Sequence, residues 1–105
     1  MSEQQLMTTI KEILEAKGYF VGRFNPVRGR RDDGRWFDSR VPKGFPDLWI
    51  TKNGRLYFAE VKTGRYGTSP EQETFLDFFR QQGFRAEVVK SVEDALKLVD
   101  EQTIG

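Results

Sequence analysis

Two residues, Asn53-Gly54, separate the runs Asp47–Lys52 and Arg55–Lys62, and they constrain this chain more than any other feature. Both central positions of a tight two-residue turn need positive φ, which Asn and Gly adopt at least cost, so the segment predicts a β-hairpin. A two-residue turn also fixes register. Lys52 then faces Arg55, Trp49 faces Phe58 and Asp47 faces Glu60. Lys62 lies two residues past Glu60 and shares its side of the sheet.

Directly opposed carboxylates repel, and burial adds a desolvation cost to each. Three arrangements relieve this: a divalent cation bridging the pair with Lys62 adjacent, a neutralising Arg, or a solvent-facing sheet. The Trp49–Phe58 pair on the same face argues for a covered face and against the last. Composition narrows the chemistry further. The 105 residues contain neither Cys nor His. That removes thiolate and imidazole ligands, cysteine nucleophiles and histidine-based triads. An enzyme built from this chain must use carboxylates, Lys, Tyr or a hard oxygen-ligated metal such as Mg²⁺ or Mn²⁺.

The length suits a single domain spanning 1–105, and nine Phe and two Trp supply a core. Residues 2–17 read as a helix with Leu6, Ile10, Ile13 and Leu14 at helical spacing, Ser2 as N-cap and Gly18 as stop. Residues 19–24 read as a strand and 25–44 as a long Arg-rich loop with a short element near Trp36. After the hairpin come a helix capped by Ser69 with Pro70 at its first position, a strand in "FRAEVVK", and a last helix capped by Ser91. The expected order is α-β-β-β-α-β-α. No apolar run approaches the roughly 18 residues of a membrane helix, and the acidic amphipathic N-terminus is unlike a targeting peptide. The expected compartment is the cytoplasm.

Three features carry two readings each. Glu3 falls in the apolar stripe of the first helix, so it either faces inward or simply favours a helix N-terminus. Gln72 completes the capping box Ser69-Pro70-Glu71-Gln72, and that box also holds it close behind the "EVK" strand. From Gly22 to Pro46 seven basic residues stand against three acids. Arg28, Arg30, Arg31, Arg35 and Arg40 suit phosphate contacts, or form a solvated loop; Trp36 and Phe37 suit base stacking, or tie that loop to the core.

The string "GFPDLWI…GRLYFAEVKTGRYGTSPEQETFLDFF" resembles the VRR-NUC branch of the PD-(D/E)XK nucleases, with Pro46-Asp47, Glu60-Val61-Lys62 and the S-x-x-Q box. The likeness spans about the whole chain, and its short size is similar to stand-alone phage and bacterial members. Met7 stands where that family often has a polar residue. The resemblance implies an α/β, restriction-endonuclease-like core with a central mixed sheet flanked by helices. It implies that Asp47, Glu60, the Val61 carbonyl and Glu3 hold Mg²⁺ or Mn²⁺. Lys62 then positions or deprotonates water or stabilises the pentavalent phosphate, and Gln72 orients water or a ligand. Arg23, with Arg28, Arg30, Arg31, Arg35, Arg40 and Lys43, then contacts DNA. The implied activity is a structure-selective DNA endonuclease resembling dimeric Holliday junction resolvases, in a bacterial or phage-infected cell. A flap, nicking or restriction-like nuclease and a non-cutting DNA-binding module are the alternatives.

Overall fold

The computed structural model describes residues 1–24, 28–38, 41–65 and 67–100, with the backbone alone for Arg28, Phe37 and Asp38. Asn25, Arg40 and 101–105 lie outside the described residues. The elements in chain order are α1 (Glu3–Ala16), β1 (Phe20–Arg23), β2 (Arg28–Arg30), β3 (Trp36–Asp38), β4 (Leu48–Lys52), β5 (Arg55–Val61), α2 (Pro70–Gln81), β6 (Arg85–Val89) and α3 (Val92–Leu98).

The Asn53-Gly54 turn forms as its chemistry requires, with φ of 53° and 78°. β4 and β5 pair antiparallel from Leu48↔Ala59 through Trp49↔Phe58 to Lys52↔Arg55, which is the expected register. β1 adds antiparallel to β4, and β6 adds parallel to β5 after the α2 crossover. The result is one mixed sheet in the order β1-β4-β5-β6. β5 is buried from Tyr57 to Val61, as a central strand covered on both faces should be.

α1 and α3 close one face. Leu6, Met7, Ile10 and Leu14 meet Val21, Leu48, Ile50, Tyr57, Ala59, Val61 and Val89, with Ala95, Leu98 and Val99 completing that core. Fully buried Leu48 and Ile50 each contribute about 1.5–3 kcal/mol of transfer free energy. α2 covers the other face, setting Leu76 and Phe79 against Phe58 and Ala86. Phe79 stacks on Phe58 at 3.9 Å.

One correction concerns the Arg-rich segment. The short element expected near Trp36 is β3, but it is not alone in a long loop: it pairs with β2 in a two-stranded antiparallel arm, with Arg28↔Asp38, Gly29↔Phe37 and Arg30↔Trp36 paired. The observed order therefore has two more strands than expected. Among the described residues they form a sheet of their own.

Candidate metal centre and active site

The site sits where the β4–β5 hairpin meets the first turns of α1 and α2. Asp47 directly precedes β4, and its carbonyl accepts the Phe24 N–H at 3.0 Å. Its Oδ2 accepts the Val61 N–H at 2.9 Å, which carries the hairpin contact one step past the last paired residues. Glu60 is only 3% exposed. Ser69 Oγ caps α2 by accepting the Gln72 N–H at 3.2 Å, and Gln72 Oε1 accepts the Ser69 N–H at 2.8 Å. The other end of that amide remains, and Gln72 Nε2 donates to Glu60 Oε1 at 3.1 Å. Lys62 Nζ stands 4.0 Å from the same oxygen. A cavity of about 520 Å³ opens over Asp47, Glu60, Lys62 and Gln72, walled by Ser2, Glu3, Gln4 and Met7 of the α1 start.

Burial is the main force on Glu60, and it disfavours the charged form. The Asp47 charge and a hydrogen bond shared with Asp47 push the same way, Lys62 opposes them, and Glu3 adds a small upward push. The balance raises Glu60 from 4.5 to about 8. Its Oε2 is buried and has no hydrogen-bond partner. An orphaned carboxylate oxygen beside a second carboxylate is the donor chemistry a hard divalent cation requires. Asp47 and Glu60 therefore fit Mg²⁺ or Mn²⁺, and Gln72 fixes the rotamer of one of them.

A family model for the VRR-NUC domain matches residues 2–93. This chain belongs to the VRR-NUC domain family. A solved structure described as a VRR-NUC domain is 27% identical to it, covering 95% of this chain and 96% of that one with a TM-score of 0.68. None of the curated proteins matches the chain. VRR-NUC membership gives it a restriction-endonuclease-like fold and a nuclease-type, DNA-processing role. Domains of the PD-(D/E)XK type usually use divalent metals, in agreement with the donor set of this VRR-NUC domain.

The site residues read from sequence are not all brought together. Asp47, Glu60, Lys62 and Gln72 converge. Glu3 does not turn inward: it is exposed at the cavity mouth. The helical stripe assigned it to the core side, but α1 begins at the cavity, and burial along this helix starts only at Leu6. Among the described residues no three acids form a metal cage. The Val61 amide serves Asp47. Of the two roles expected for Gln72, orienting a ligand fits, because its oxygen is already committed to the Ser69 amide. Arg23 ends β1 beside the cavity wall, donating Nη2 to Gln4 Oε1 while its Nε is buried and unpartnered. Lys43 lies 3.8 Å from Glu71 at the start of α2. Arg30, Arg31 and Arg35 are exposed on the arm.

Sequence reasoning missed Gly44. It adopts φ +88°, and a Cβ there would lie 2.6 Å from the Glu71 carbonyl carbon and 2.8 Å from the Gln72 nitrogen. Backbone cannot yield as a side-chain tip does, so the chain before Asp47 rests directly on the α2 turn that holds Gln72. Its only sequence signal is a Gly three residues before Asp47. Gly44→Ala is expected to displace Gln72 from Glu60 and lower cleavage about 10- to 100-fold, the range for lost outer-sphere support. Kinetics of the single and double variants check this: Gly44→Ala and Gln72→Ala together should lose little more than either alone.

Proposed function

We propose that the chain is a divalent-metal-dependent DNA endonuclease that cuts branched DNA, in the manner of a Holliday junction resolvase acting as a homodimer, within a single domain over 1–105. The supporting observation is the opposed Asp47–Glu60 pair, Asp47 half-buried and Glu60 buried, with Lys62 beside it and one Glu60 carboxylate oxygen unpartnered. Two copies related by a two-fold axis suit the symmetric cutting of a four-way junction. The cytoplasm is the proposed site of action.

Asp47 and Glu60 would hold Mg²⁺ or Mn²⁺, with the Val61 carbonyl a further oxygen ligand and Glu3 adding negative charge at the mouth. When bound, such an ion lowers the pKa of water and offsets charge on the scissile phosphate. The chain's own groups do the rest. Gln72 holds Glu60 in place. Lys62, with its side chain 17% exposed, presents its ammonium to the phosphate oxygens as charge builds on them, or to the attacking water. The water oxygen bonds to phosphorus and releases a proton to solvent, the bond to the leaving oxygen breaks, and that oxygen takes up a proton from solvent. Arg23 and Lys43 flank the site, and the arm's arginines contact phosphates further along the strand.

The test incubates the full chain with labelled four-way junction, flap, single-strand and duplex DNA, with Mg²⁺, Mn²⁺ or EDTA. Junction cleavage that needs metal is expected, and Lys62→Ala should slow it by roughly 10²–10³-fold, as removal of one stabilising charge does elsewhere. Flap cutting without junction cutting returns the flap-nuclease alternative. Tight DNA binding with no cleavage under any metal returns the non-cutting module.

A further inference from the structure

The β2–β3 arm belongs to neither the core nor the acidic cavity. Arg30 and Trp36 are its paired residues nearest the tip, and directly opposed residues share a face. Trp36 is 69% exposed, and Arg30 beside it is exposed as well. The tip is built, not slack. The Arg31 N–H donates to the Arg35 carbonyl at 2.7 Å, and the Gly34 N–H to the Arg31 carbonyl at 2.9 Å. Gly34 takes φ +83°, and Asp33 Oδ1 accepts the Arg35 N–H at 2.9 Å. Asp33 is thereby committed to the turn, while Arg31 and Arg35 face water on either side of it.

The reading in which Trp36 ties this segment to the core is corrected by its exposure. An indole left mostly in water adds little to folding, since most of its apolar area stays hydrated. It does offer a flat π-face beside a guanidinium, which is the pairing that receives a nucleotide: the base stacks on the ring and the neighbouring phosphate meets the Arg. Paired duplex hides its base faces in the stack. Only unpaired bases, at gaps, branches or single strands, present one.

We propose that the β2–β3 arm is a contact element for unpaired DNA, in which Trp36 stacks on an exposed base and Arg30 meets the adjoining phosphate. This rests on the nuclease reading for its choice of nucleic acid, and it gives that nuclease a source of preference for branched over continuous duplex. It is independent of the acidic site in its chemistry.

Tryptophan fluorescence of the full chain in EDTA tests it, titrating continuous duplex, the same duplex with a two-nucleotide gap, and single strand. Gapped and single-stranded DNA should quench emission and continuous duplex should not. Trp36→Phe should lose that quenching yet keep most of the affinity, because Phe also stacks. Trp36→Ala should weaken binding of gapped DNA about 5- to 100-fold, the effect of losing one stacked base, with duplex binding unchanged. Arg30→Ala should weaken gapped-DNA binding as well, with a shallower salt dependence. Absence of quenching, or equal loss for gapped DNA and duplex in Trp36→Ala, overturns the proposal. Quenching by gapped DNA in a protein that cuts nothing sustains the arm and removes the nuclease reading; cleavage without quenching does the reverse.

Discussion

Glu60→Gln is expected to lose more than a hundredfold in metal-dependent cleavage and, in the same molecule, to stabilise the metal-free protein above neutral pH. Outer-sphere partners of metal ligands already cost about 10–100-fold when removed, so loss of a direct ligand costs more. Stability moves the other way because Glu60 is held from 4.5 up to about 8 by burial first and by Asp47 second. Between those values the unfolded chain has released a proton that the folded chain keeps. The native fold therefore loses stability as pH rises from 4.5 to 8 and levels off above that. At roughly 1.4 kcal/mol per unit, the loss amounts to up to about 5 kcal/mol. Gln keeps the shape and accepts the Gln72 hydrogen bond, but it does not ionise. Urea or thermal melts in EDTA at pH 5, 6.5 and 8.5 measure this. The native chain should weaken across the series and the variant should stay nearly flat. Parallel slopes for the two proteins would show that Glu60 is not the group responsible. Mg²⁺ or Mn²⁺ should rescue the native chain at pH 8.5, by about 2.7 kcal/mol at a hundred times the dissociation constant, and leave the variant unmoved.

The same expectation explains why the acids are tolerated. The fold holds them together through elements it needs anyway: a turn that sets register, a capping box that starts α2, and Gly44 seated against that box. Each is locally favourable. Their sum is an unfavourable carboxylate pair at the end of the hairpin, which a cation would relieve and which packing alone does not.

The hairpin register was legible because a dipeptide turn admits one spacing between the two apolar runs it joins. That alone put Asp47 opposite Glu60 and Lys62 beside them. The capping box at Ser69 was legible for the same reason, being a contact between residues three apart. What escaped depends on distant contacts or on short elements. β2 and β3 have three residues each, too few for a period to show, and their turn is formed by Asp33 and Gly34 inside a run that reads as mere charge. Gly44 matters only because α2 lies against it. Glu3 was placed by a helical wheel, which says which side a residue is on and not where the sheet ends. Gly22 likewise leaves room for the Trp49 indole, which a Cβ would meet at 2.1 Å.

Asp47 has two functions that two substitutions separate. Its charge belongs to the proposed metal site, while its Oδ2 satisfies the N–H of fully buried Val61. Asp47→Asn keeps an acceptor for that N–H and removes the charge. It is expected to lose more than about a hundredfold in cleavage, as for any direct ligand, with little change in melting temperature at pH 5, where Glu60 is protonated in the folded chain. Asp47→Ala should lose cleavage equally and also destabilise the fold by about 1–3 kcal/mol, because a buried donor is left unsatisfied. The pH series sharpens the comparison. Asn removes one of the two main upward pushes on Glu60 and leaves burial, so the loss of stability with rising pH should shrink but persist. Binding of junction DNA in EDTA should match the native chain for Asn, since phosphate contacts by Arg and Lys supply the affinity. Cleavage by Asp47→Asn at more than a tenth of the native rate would remove Asp47 from the metal site. Equal stability of the Asn and Ala variants would instead remove its structural role at Val61.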